Sequence, residues 1–216
     1  MIKTMIWDWN GTLLNDAECS FNVLNDCLRK RSLPEIKEVE DYKNIFDFPV
    51  IKVYEAAGFD FDKDSFEDLS VEYTEGYQNS YLNYDLHEHV IDILKNNINQ
   101  GIMNVLLSAS QIDILKKQAN EYKCDMYFEK ILGLDNIYAH SKVELAKEFM
   151  RESNLDASEV VWIGDSIHDY ECAKECGTHC ILVANGHQTK ERLIPTGAMV
   201  VDTIDDVIKK CQEFNS

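Results

Sequence analysis

The chain is poor in positive charge, proline and glycine, and it contains no long apolar run. Its 21 Lys+Arg stand against 39 Asp+Glu, a formal net charge of −18. That balance excludes nucleic acid and anionic membrane surfaces as partners, because both demand a basic footprint. Three prolines and nine glycines in 216 residues, with 45% hydrophobic residues, exclude disordered and fibrous classes. No apolar stretch approaches the roughly 20 residues that cross a bilayer. The first residues hold one lysine and too short an apolar run for a secretory h-region, so a cytoplasmic location is expected. A disulfide framework is also missing: the cysteines, at 19, 27, 124, 172, 176, 180 and 211, are odd in number and scattered, as reduced thiols are. Cys172, Cys176 and Cys180, near His168 and His179, lack the CxxC knuckle of a zinc site and read as buried structural thiols.

What the chain does have is a regular alternation. From residue 101 onward GIMNVLLS, MYFEKILGL, EVVWIGD and HCILVA read as buried strands, with a short one near Val200. Between them QIDILKKQANEY, SKVELAKEFMRES, IHDYECAKECG and a segment at about 203 to 213 read as helices. Strands alternating with helices imply right-handed crossovers and an α/β class, a Rossmann-like parallel sheet flanked by helices. TMIWD, residues 4 to 8, is one more strand of this kind. Residues 16 to 82 differ: AECSFNVLNDCLRKR, FPVIKVYEAAGF and SFEDLSVEYTEGYQNSYL are helical patterns broken at Pro34, Pro49 and Gly58. The expected division is therefore a core of 1–15 and 84–216 with an inserted helical cap of 16–83. Residues 16 to 85 hold 17 acids against 7 bases, a solvated acidic surface. Any anionic substrate must then be captured locally, by a metal or a lysine.

Ligands of an open parallel sheet sit beyond the carboxyl ends of its strands. Asp8, Ser108 and Asp165 each follow an apolar run, and Ser141-Lys142 opens a helix, so four scattered positions converge there. Taken singly, each has an ordinary reading: Asp165 a helix N-cap, Ser108 a turn hydroxyl, Lys142 a solvated residue, Asn10-Gly11 a turn. Taken together, Asp8-Trp9-Asn10-Gly11-Thr12, NVLLS ending at Ser108, Lys142 and Gly164-Asp165-Ser166-Ile167-His168-Asp169 resemble, in order, the four motifs of the haloacid dehalogenase superfamily of phosphohydrolases. The helical insertion is similar to the cap of its phosphoglycolate phosphatase and β-phosphoglucomutase branch.

The resemblance implies a small phosphorylated metabolite as substrate, Mg2+ as cofactor and hydrolysis through an aspartyl-phosphate on Asp8. It implies that Asp8, the main-chain carbonyl of Asn10 and Asp165 bind the metal, that hard oxygen set suiting Mg2+. Gly11, Thr12, Ser108, Ala109 and Lys142 would hold the phosphoryl oxygens, and Asp169 would position Lys142 or a metal-bound water. One position departs from the pattern. Where the phosphatases of the family carry an acid–base aspartate this chain has Asn10, which cannot exchange a proton at neutral pH. Loss of such help costs about 10²- to 10⁴-fold in rate. Activated phosphate esters should then turn over faster than alkyl phosphates. Two alternatives stand beside this reading: a phosphonatase-like C–P hydrolase using Lys52 or Lys43 of the cap as a Schiff base, and a phosphate-ligand binding protein with weakened catalysis. Tyr42, Phe46, Phe48, Tyr54 and Phe59 could line a substrate pocket, but aromatic residues at such spacings are more often the cap's own core. The chain is expected to be a monomer.

Overall fold

The computed structural model describes residues 1–134 and 141–215. The strands are β1 (Thr4–Trp7), β2 (Met103–Gln111), β3 (Lys130–Leu134), β4 (Val160–Gly164), β5 (His179–Val183) and β6 (Met199–Val201). The helices are α1 (Ala17–Lys30), α2 (Val39–Ile45), α3 (Ile51–Ala57), α4 (Phe66–Ser80), α5 (Val90–Asn99), α6 (Ile112–Glu121), α7 (Lys142–Glu152), α8 (Ile167–Cys176), α9 (Lys190–Leu193) and α10 (Ile204–Cys211). The six strands form one parallel sheet in the order β3-β2-β1-β4-β5-β6.

Both faces of the sheet are covered, which is why its strands are apolar throughout rather than alternating. Side chains on a strand point to opposite faces in turn. Met5 and Trp7 accordingly join Leu106, Ile163 and Val183 against α5, α6 and α10, while Ile6 joins Val105, Leu107 and Trp162 against α7 and α8. The buried indoles keep their N–H groups bonded: Trp7 donates to Asn104 Oδ1 at 3.1 Å and Trp9 to Gln118 Oε1 at 2.9 Å. An unpaired N–H there would cost about 1–3 kcal/mol.

Helices α1 to α4 lie between β1 and β2 and build a separate apolar cluster from Leu24, Leu28, Tyr42, Val53, Tyr54, Phe59 and Leu69. Gly58, at φ +105°, closes α3. Among the described residues no helix is long and apolar enough to cross a membrane.

Three local features differ from the sequence expectation. Strand β2 runs to Gln111, past Ser108, because its pairing with β3 slips between Leu107 and Gln111, and Ser110 N donates to Ser108 Oγ at 3.2 Å within that irregular stretch. The strand expected over 126–134 begins only at Lys130. Residues 125–127 form a 3₁₀ turn that packs Tyr127 and Phe128 against the core. Helices α2 and α5 were not anticipated; α5 carries apolar residues at helical spacing, whereas α2 is short and polar.

Candidate active site

Strands β1 and β4 are neighbours in register, so Asp8 and Asp165, each one residue past its strand, emerge side by side. Gly11 turns the chain back beneath them at φ +73°, and a Cβ there would sit 2.3 Å from Asp165 Oδ2. Only glycine serves on both counts. Gly164 is required by contact alone, since its Cβ would come within 2.2 Å of Asp169 Cγ.

Lys142 is the first residue of α7, behind the Ser141 cap with its reciprocal Glu144 bond. Its ammonium, almost wholly buried, donates to Asp8 Oδ1 at 2.7 Å and to Asp169 Oδ1 at 2.6 Å. Asp169 also accepts from Ser166 Oγ at 2.6 Å, from the Asp165 and Ser166 amides, and from Trp162 Nε1 at 3.3 Å. Burial would raise Asp169, but Lys142 and these donors hold its carboxyl below the usual range. Asp165 accepts from Thr12 Oγ1 at 2.8 Å and from His187 N at 2.6 Å. Asp8 is different: Lys142 takes Oδ1, and among the described residues no donor is placed on Oδ2. Burial pushes Asp8 up to about 8 against the pull of Lys142, with Asp169 and Asp165 adding repulsion. Burial likewise raises Asp165 to about 6, against the pull of His187.

Asp8, Asp165 and Asp169 offer oxygens within 4.8 Å of one another, all buried. Four buried carboxylates, counting Asp16, face two basic groups, Lys142 and His187. Ionising all four with His187 protonated would leave two negative charges uncompensated, in line with the raised Asp8 and Asp165, and a divalent ion with hard oxygen preferences fits that donor set.

The unforeseen part of the site is a second carboxylate cluster. Asp16, wholly buried, accepts from Asn10 Nδ2 at 2.7 Å, Gly11 N at 2.7 Å, Tyr77 Oη at 2.5 Å and His187 Nε2 at 3.3 Å. Burial works against its charge, but His187 and the other donors outweigh it and hold Asp16 below the ordinary carboxylate range. Burial opposes charge on His187 too, yet Asp16 keeps its pKa above that of a free histidine. His187 Nδ1 and Tyr42 Oη are hydrogen-bonded at 2.8 Å, the protonated ring donating to the hydroxyl oxygen, and Phe46 stacks on the same ring at 4.6 Å.

The sequence candidates therefore fall into groups. Asp8, Lys142, Asp165 and Asp169 come together. Asn10 lies beside them, but its carboxamide donates to Asp16 and Tyr77 and accepts from Ser110 Oγ at 3.0 Å. The Gly11 amide and the Thr12 hydroxyl, expected on phosphoryl oxygens, are occupied by Asp16 and Asp165. Ser108 is buried within β2, three residues before its end at Gln111 and next to Ala109. Of the cap aromatics, Tyr42, Tyr54 and Phe59 are core with Phe46 packed against them, while Tyr42 and Phe46 also reach His187 and Phe48 reaches His168. Lys52 is half exposed and 3.6 Å from Asp47; Lys43 lies 4.0 Å from Glu40. Asp16, Tyr77 and His187 were missed. His187 lies in the loop beyond the carboxyl end of β5, four residues past Val183, where ligands of a parallel sheet gather, and that position was the available signal for it.

Comparison with known proteins agrees with this geometry. A family model described as haloacid dehalogenase-like hydrolase matches residues 5–183. Phosphoglycolate phosphatase of Pseudomonas fluorescens is 24% identical over 220 residues, covering 97% of this chain and 79% of that relative. Phosphoglycolate phosphatase 1 of Pseudomonas aeruginosa is 22% identical over 138 residues, 63% of this chain, and the match spans about half (51%) of that relative. A haloacid dehalogenase-like family hydrolase from Streptococcus pneumoniae has the same fold, with a TM-score of 0.82 at 16% identity over 97% of this chain and 98% of the other. A sheet of this order, with Asp8 and Asp165 at its carboxyl edge and a family match over most of its length, places the chain among the haloacid dehalogenase-like hydrolases.

Proposed function

We propose that the protein is a Mg2+-dependent phosphatase of small phosphorylated metabolites, of the phosphoglycolate phosphatase type, acting through an aspartyl-phosphate on Asp8. The observation that carries this reading is the asymmetry of Asp8: one oxygen is anchored by Lys142, while the other has no donor among the described residues and lies beside two further buried carboxylates. In the first step Oδ2 attacks phosphorus, the bond to the leaving oxygen breaks, and that oxygen takes up a proton; in the second, water splits the acyl phosphate and restores the carboxylate. Bound by Asp8, the Asn10 main-chain carbonyl and Asp165, Mg2+ would neutralise charge between nucleophile and phosphoryl group. Lys142 stabilises the charge that develops on phosphorus, with Ser108 and Ala109 completing the cradle. Asp169 holds Lys142 in place.

Asn10 can donate a hydrogen bond but no proton, and its two N–H groups are already committed to Asp16 and Tyr77. Leaving groups that need little protonation, such as aryl and acyl phosphates, are therefore the better substrates, and the aspartyl-phosphate breaks down slowly. We assign residues 1–15 and 84–216 to the core and 16–83 to the cap, on the separate apolar clusters of the two parts. The protein would act as a monomer in the cytoplasm. A panel of phosphorylated metabolites, assayed with Mg2+ and with chelator on wild type and Asp8→Asn, tests the reading. Mg2+-dependent phosphate release, abolished by the substitution and preceded by a burst of leaving group, is expected. Phosphate release that survives either the chelator or Asp8→Asn refutes it.

A further inference from the structure

Asp16 is the first residue past the strand-turn unit that carries the nucleophile, and it begins the crossing into the cap. Its carboxylate gathers donors from three separate parts of the fold. Asn10 and Gly11 belong to the nucleophile loop, Tyr77 to cap helix α4, and His187 to the loop after β5, where Tyr42 of cap helix α2 holds the far side of the imidazole. Four donors on one fully buried carboxylate leave it a single orientation. Two of them, the Gly11 amide and the Asn10 carboxamide, fix the turn immediately after Asp8. Of the other two, Tyr77 belongs to the cap, and His187, whose amide is bonded to Asp165 in the core, is braced by Tyr42 of the cap.

We propose that Asp16 is a positioning residue that holds the nucleophile loop in register and is itself held by side chains of the cap. With Tyr77 and the Tyr42–His187 pair engaged, the carboxylate is held where it binds Gly11 N and Asn10 Nδ2, and the loop sets Asp8 against Lys142. The rate consequence rests on the phosphatase reading; the structural consequence does not. Asp16→Asn is nearly isosteric but faces its new N–H group toward donors, so it breaks the cluster without emptying the site.

The test pairs a kinetic readout with two that do not depend on turnover. With p-nitrophenyl phosphate and Mg2+, Asp16→Asn should lower kcat about tenfold or more while KM stays within about twofold, the signature of lost alignment rather than lost binding. The Gly11 amide proton, bound to a carboxylate in the wild type, should move upfield in the variant. Asn10 should deamidate several-fold faster as the Gly11 nitrogen is freed to attack its side-chain carbonyl and expel ammonia. Tyr77→Phe should lower kcat by a smaller factor, and the double variant should be no worse than Asp16→Asn. Should Asp16→Asn not fold, Tyr77→Phe carries the same readouts. An unmoved Gly11 resonance with unchanged deamidation, or losses that multiply in the double variant, overturns the proposal. A wild type inactive on every phosphate ester refutes the phosphatase reading alone, and the resonance and deamidation still decide the role of Asp16.

Discussion

Restoring the acid at position 10 is the most revealing single change. In Asn10→Asp, an oxygen replaces the amide nitrogen that lies 2.7 Å from Asp16 Oδ2. Two full charges at that separation repel by roughly 6 kcal/mol at an effective dielectric of about 20. The Tyr77 hydroxyl and His187 remain to offset part of it. The folded protein escapes most of the rest by keeping one proton on the pair, so the pair's second ionisation is pushed above the ordinary carboxylate range. The sign follows. A carboxyl pKa raised in the folded state contributes stability that is present below the unfolded value, near pH 4, and is lost as pH rises. The gap in Tm between wild type and Asn10→Asp should widen steadily between pH 5 and pH 8. The retained proton also gives the site the donor it lacks, so alkyl phosphates should turn over about 10²-fold faster or more near pH 6, with little gain for aryl phosphates. A Tm gap independent of pH, or equal gains for both substrate classes, would refute the placement of Asn10 against Asp16.

Other outcomes follow from the same geometry. Lys142→Met leaves Asp8 and Asp169 buried without their cation and should destabilise by about 3–5 kcal/mol in urea denaturation, with a loss below about 1 kcal/mol contradicting the burial. Asp8 is raised by burial to about 8, so its contribution to the metal-free protein is present below pH 4 and lost as pH climbs through 8. The Tm increment given by saturating Mg2+ should therefore grow between pH 6 and pH 9, and should vanish in Asp165→Asn. Gly11→Ala forces a Cβ onto Asp165 in a left-handed turn and should cost about 2 kcal/mol or more together with Mg2+ affinity read by calorimetry.

The alternating strands and helices, the sheet they form and the residues at its carboxyl edge were legible because each is local. An apolar run ending in Asp8 or Asp165, or a capping box before Lys142, can be read within a few residues. Less legible was the environment of Asn10. Its partners Tyr77 and Ser110 lie 67 and 100 residues away, and His187 lies 171 residues from Asp16, so no short window contains the cluster. Asp16 itself stood in plain view, but at the head of an acidic segment it reads as one more solvated charge. The slip in β2 past Ser108 depends on pairing with β3, which no strand pattern encodes. The cap aromatics divide between core and site according to where α2 docks, a tertiary contact held by Gln188 Nε2 and the Arg192 guanidinium on the Phe46 carbonyl.

The central claim is that Asp8 becomes esterified with phosphate. It is tested most directly by mixing the protein with Mg2+ and an aryl phosphate, quenching within the burst, and mapping the peptides by mass. The account predicts one phosphoryl group on the peptide containing Asp8, absent with chelator. An unmodified Asp8 peptide during Mg2+-dependent turnover would contradict it.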